Sequence, residues 1–129
     1  MSAVLLAEPV VAVPVDALLR EVRAMGIRVP RPAEVRVYLE QFPDLLPVVR
    51  HVCELTLSEF EAKAELSLEV YVDREIDDPH LMLYVRQEPL EPNLWPTFER
   101  VQEACANALP ADTAGWLHVG PDFRAPNRR

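Results

Sequence analysis

Residues 73–80, Asp-Arg-Glu-Ile-Asp-Asp-Pro-His, hold the densest set of side chains in this chain that could do chemistry. Asp73, Glu75, Asp77 and Asp78 offer hard carboxylate oxygens and His80 an imidazole, so a divalent cation could collect several of them for a metal-dependent hydrolase or transferase. The spacing fits no EF-hand, which needs a glycine at its sharp bend and a glutamate at its end. Ordinary turn chemistry explains the same residues, because aspartates before Pro79 bond nearby backbone amides. The loop therefore reads first as a turn and second as a metal site.

Other catalytic templates are missing from the chain. There is no nucleophile elbow, Walker loop, dinucleotide-binding glycine pattern or HExxH, and three glycines cannot build a phosphate cradle. Cys53 and Cys105 lie far apart among apolar neighbours, and nothing in the sequence joins either to His51 or His118 as a thiol–imidazole pair. They read as buried free thiols rather than a disulfide or metal pair. A paired-carboxylate site could be drawn from the 21 acids almost at will. No catalytic residue and no cofactor is implied.

The loop joins two strands. From Ala64 to Gln87, Leu66, Leu68, Val70 and Val72 alternate with Glu65, Ser67, Glu69, Tyr71 and Asp73. After the polar break, Leu81, Leu83 and Val85 alternate with Met82, Tyr84 and Arg86. Period two marks a β-hairpin with one apolar face, which helices must cover, and one acidic face turned to water. That second face is the expected partner platform, with Glu65, Glu69, Tyr71 and Asp73 on the first strand and Tyr84 and Arg86 on the second. Trp116 joins them, since it opens a third strand over residues 114–119 and faces with His118, opposite Leu117 and Val119.

The helices follow from period 3.6. Asp16 has N-cap chemistry, Leu18, Leu19, Val22 and Met25 follow at helical spacing, and Gly26 stands at the C-terminal position. A second helix over residues 33–42 aligns Val35, Tyr38, Leu39 and Phe42. Asp44 caps a third, running to about Lys63, whose buried side is Leu45, Val48, Val49, Val52, Thr56 and Phe60. Asn93 or Thr97 caps a fourth, with Leu94, Phe98, Val101, Cys105 and Leu109 toward the core, and Pro110 ends it. Gly120 and Pro121 break the last strand. The predicted fold is α+β: a small, largely antiparallel three-stranded sheet, core order α-α-β-β-α-β, packed on one face by helices.

Residues 1–15 form an apolar arm, in which Pro9 and Pro14 rule out a through-going helix and residues 10–13 suit a short strand. The arm packs on its own domain, makes a homodimer by reaching a second copy, or docks another protein. Residues 16–122 make one domain, and residues 123–129 a flexible basic tail. The arm lacks the basic start of a signal peptide, and no apolar run approaches the ~20 residues that cross a bilayer, so a cytoplasmic protein with no membrane partner is expected.

The formal net charge is -8. Residues 1–36 carry five arginines against four acids, whereas residues 37–122 carry five bases against seventeen acids. Such a field repels nucleic acid and favours a basic protein. The arginines from Arg20 to Arg36 are diluted by Glu21 and Glu34 and lack interleaved aromatics, so they read as a solvated face.

The run from Ala64 to Arg86 and the ending Gly115-Trp-Leu-His-Val-Gly-Pro-Asp-Phe-Arg124 together resemble a group of small prokaryotic proteins. Those proteins often appear as the accessory half of toxin–antitoxin-like gene pairs. The resemblance covers roughly residues 33–124 and brings no catalytic residues with it. It implies a non-enzymatic, antitoxin-like partner protein, one that restrains a basic, nuclease-like toxin.

Overall fold

The computed structural model describes residues 9–60, 64–72, 75, 79–87, 94–113 and 115–121. In chain order these form α1 (Pro9–Ala24), α2 (Pro32–Gln41), a 3-10 turn (Pro43–Leu45), α3 (Leu46–Phe60), β1 (Ala64–Tyr71), β2 (His80–Gln87), α4 (Leu94–Ala108) and β3 (Leu117–Pro121). The α+β class and element order are those expected from the periodicities. Residues 1–8 of the arm, Asn93 as a cap and the tail 123–129 lie outside the described residues.

The first helix begins seven residues before Asp16, so the proline argument against a helix there is corrected. Pro9 takes the first helical position, where its missing N–H is no loss. Pro14 sits inside the helix, at a cost of about 3 kcal/mol. The cost is offset because Val15, Leu18, Leu19 and Val22 are all buried, each contributing about 1.5–3 kcal/mol. Asp16, no longer a cap, meets Arg36 of α2 at 2.9 Å. At the other end Gly26 adopts φ 90°, and the amides of Gly26 and Ile27 close on the carbonyls of Arg23 and Val22. This is the two-bond helix stop that favours glycine.

In α2, Val35, Tyr38 and Leu39 are buried, and every expected core residue of the third helix is buried. Asp44 is not its cap: it lies within the 3-10 turn that precedes α3. Thr97 is likewise a buried residue inside α4 rather than its cap.

The sheet order is β1-β2-β3. β1 and β2 pair antiparallel, with Glu65 opposite Arg86, Leu68 opposite Leu83 and Tyr71 opposite His80. β2 and β3 pair parallel, with Leu81 opposite Leu117 and Met82 opposite His118. The sheet is thus mixed, because α4 is a crossover helix and a crossover returns the chain in the same direction. Leu66, Leu68, Leu81, Leu83, Val85, Leu117 and Val119 form one buried face, packed with residues of all four helices into a single core.

Two details depart from simple alternation. Val72 lies past the end of β1 and is exposed, and Val70 is only half-buried, so the apolar face ends earlier than expected. Gly120 and Pro121 belong to β3 instead of breaking it. The amide of Leu81 donates to the Trp116 carbonyl, so even-numbered residues of β3 bond toward β2 and odd-numbered ones face outward. Pro121 therefore loses no ladder bond. The outward carbonyls of Leu117 and Val119 accept from Cys105 Sγ and Gln102 Nε2 of α4, which covers this edge. The opposite edge is covered by residues 27–29: Arg28 donates to the Leu66 carbonyl, and Leu68 donates to that of Arg28. The middle of the β1 edge and the outward carbonyls of β3 are thus engaged within the chain.

Candidate functional site: the polar face of the sheet

The face opposite the core carries Glu65, Ser67, Glu69 and Tyr71 from β1, His80, Met82, Tyr84 and Arg86 from β2, and His118 and Gly120 from β3. Its centre is an ion network. Arg86 donates from one terminal nitrogen to Glu65 at 3.2 Å and from the other to Glu69 at 3.2 Å. Ser67 donates its hydroxyl to the same Glu69 oxygen at 2.6 Å. Arg28, brought alongside by its bridge to Ser67, reaches Glu65 at 3.7 Å.

These contacts correct the expectation of carboxylates shown freely to water. The side chain of Arg86 is 8% exposed, Glu65 16% and Glu69 25%, so two acids and two arginines balance one another within a partly buried layer. The cause is register: a hairpin pairing Tyr71 with His80 places Glu65 opposite Arg86, and the long Arg86 side chain runs along the same face past Ser67 to Glu69. Ser67 is fully buried and Met82 nearly so, which alternation alone did not announce.

Around this network stand groups that a partner could touch. Tyr71 is exposed and its ring lies 5.3 Å from that of His80. Tyr84 is half-buried with the Arg86 guanidinium 6.0 Å from its ring centre. Trp116 is exposed, immediately before β3. Its amide donates to the Tyr38 hydroxyl at 2.9 Å, which ties this corner to α2. Trp95, by contrast, is half-exposed on α4 against Phe98, with ring centroids 5.9 Å apart, away from the sheet's polar face.

His118 is displaced in its titration. Loss of hydration, and second the nearby His80, lower its pKa from the ordinary 6.5. The folded protein thus holds fewer protons there than the unfolded chain just below that value, and stability falls as pH drops through 6.5 toward the lowered pKa. His118→Gln is expected to flatten this part of the profile, read as melting temperature between pH 5 and 8.

The metal reading gains no geometry. Glu75 and His80 are described but Asp73, Asp77 and Asp78 are not, and among the described residues no three His, Cys, Asp or Glu side chains gather as ligands. Asp73 as a partner residue also lies outside the described residues. His51 is exposed on α3, apart from the sheet.

Both cysteines are free and buried. Burial pushes the Cys53 thiol up to about 12, helped by Glu54, and that of Cys105 up to about 11. Thiolate is scarce at neutral pH, which disfavours nucleophilic attack by either sulfur. A thiol reagent at pH 8 is expected to label neither cysteine in the native protein and both in denaturant. Labelling at a similar rate in both states would contradict their placement.

The missed contributors are Arg28 and His118. Arg28 reaches the site through a bridge between segments distant in sequence, for which no local pattern exists, whereas His118 was visible as the strand neighbour of Trp116 on the same face.

Among the described residues no helix is long and apolar enough to cross a membrane. No family model, curated protein or solved structure matches the chain.

Proposed function

We propose that this protein is a non-enzymatic, cytoplasmic protein-interaction module, antitoxin-like, that docks a basic protein partner on the polar face of its sheet. The observation that supports this reading best is the order already present in that face. Arg28, Glu65, Ser67, Glu69 and Arg86 are held by one another, so a partner that settles there immobilises few additional rotamers. Tyr71, Tyr84 and Trp116 offer the large amphipathic surfaces that dominate interface energetics.

Since the face neutralises itself, attraction for a basic partner comes from the rest of the domain, dominated by residues 37–122. Long-range charge of this kind raises the association rate, while the aromatic rim sets the lifetime of the complex. A basic nuclease-like protein would suit both.

The test is affinity purification of the full-length protein from its source cells at low and at high salt, with mass spectrometry. One basic protein in stoichiometric amount, reduced in high salt, is expected. Recovery of the protein alone under both conditions would count against the reading.

A further inference from the structure

A second site lies on the helical side of the molecule, away from the sheet's polar face. One stripe of α1, comprising Asp16, Leu19, Arg20 and Arg23, faces one stripe of α2, comprising Pro32, Ala33 and Arg36, across a cleft of about 500 Å³. Three guanidinium groups meet there against a single carboxylate, in a chain whose net charge is -8. They are differently engaged. Arg36 is paired with Asp16 at 2.9 Å, Arg23 donates one nitrogen to the Val29 carbonyl at 3.3 Å, and Arg20 has no ion pair or hydrogen bond among the described residues.

A second feature points the same way. The cleft is lined by the first turn of α2, a helix of ten residues whose N-terminal flank, Arg31, gives no side-chain cap. In that turn Pro32 has no N–H and the amides of Glu34 and Val35 bond the Arg31 carbonyl, so the Ala33 N–H is the donor left at the positive end of the helix dipole, where an anion is favoured. Leu19, Pro32 and Ala33 add an apolar wall beside the charged one.

We propose that this cleft binds a small phosphorylated molecule, its terminal phosphate held by Arg20, Arg23 and the Ala33 N–H of α2. Guanidinium forks match phosphate oxygens in pairs, and three oxygens carrying nearly two charges use more of these donors than the two oxygens of a carboxylate would. The volume suits part of a small organic molecule lying in an open cleft, with the apolar wall beside its organic part. A long polyanion is disfavoured, because beyond the cleft it meets the acidic remainder of the chain.

The experiment is titration of the isotopically labelled full-length protein with inorganic phosphate, adenosine 5′-monophosphate and adenosine, followed by NMR at the arginine Nε–H groups and backbone amides. Saturable shifts at Arg20, Arg23 and Ala33 are expected with both phosphates and not with adenosine, with the nucleotide binding more tightly. The double variant Arg20→Ala/Arg23→Ala, at two exposed positions, weakens binding at least tenfold while its melting temperature stays within a few degrees of the parent. No saturable shift with either phosphate overturns the proposal, as does unchanged binding by the double variant. A single-stranded RNA decamer that binds through the same arginines more tightly than the mononucleotide also overturns it, by assigning the cleft to nucleic acid.

Discussion

Arg86→Met is expected to lower the stability of the fold by about 3 kcal/mol, some 10 °C in melting temperature for a domain of this size. The methionine keeps much of the packed volume and removes only the charge and the donors. Glu65 and Glu69 would then lose their shared cation on a partly buried surface, and Ser67 would bond a carboxylate that has lost its counter-charge. Breaking such a pair on one side costs more than replacing the whole network. The triple variant Glu65→Leu/Glu69→Leu/Arg86→Met should accordingly recover most of the loss, as measured by urea unfolding. If Arg86→Met unfolds with the parent's midpoint, the network contributes nothing and the face is not preorganised.

Gly115→Ala carries the second large effect, about 2–3 kcal/mol of destabilisation from overpacking. A Cβ at this position would stand 2.7 Å from Cβ and Cγ of Phe42 and 2.9 Å from Cδ1 of Leu45. Phe42 Cβ is anchored directly to the backbone, so the junction between α2 and the 3-10 turn must move away from the entry to β3. That same entry is fixed by Trp116, whose amide donates to the Tyr38 hydroxyl while the hydroxyl donates back to its carbonyl at 3.4 Å. Displacing the junction therefore strains the clamp that positions Trp116. Thermal unfolding checks the stability, and the accompanying change in tryptophan fluorescence reports on the corner itself. A variant with parental stability would show that the close approach relaxes at no cost.

Much of the architecture is legible in the sequence because its elements announce themselves locally. The stripe from Leu45 to Phe60 and the two alternating strands recur with periods that only one secondary structure satisfies. What failed locally depended on distant context. Pro14 lies within a helix because the residues after it are buried against α2 and α3, an energy that no five-residue window reveals. The parallel direction of β3 follows from its place beside β2 after a helical crossover, and adjacency is a tertiary fact.

The candidate site was half legible. The residues of the polar face follow from alternation, and Tyr71 and Tyr84 stand on the strands expected, whereas β3 starts at Leu117 and leaves Trp116 just before it. Its charge state did not follow, because counting acids along one strand ignores the cation across from them. Once Tyr71 is paired with His80, the pairing of Glu65 with Arg86 follows by counting outward, so the signal lay in the register of the hairpin. Arg28 had no such signal.

The central claim is that the polar face of the sheet holds a protein partner, and the most direct test is a capture of the parent protein and of Tyr71→Ala/Trp116→Ala side by side from the source cells. Both substitutions are at exposed positions, so the variant should keep the parental fold, as its circular dichroism and melting temperature will show. The account predicts one basic protein in stoichiometric amount with the parent and at least tenfold less with the variant. Equal recovery by the two, or no protein with either, would contradict it.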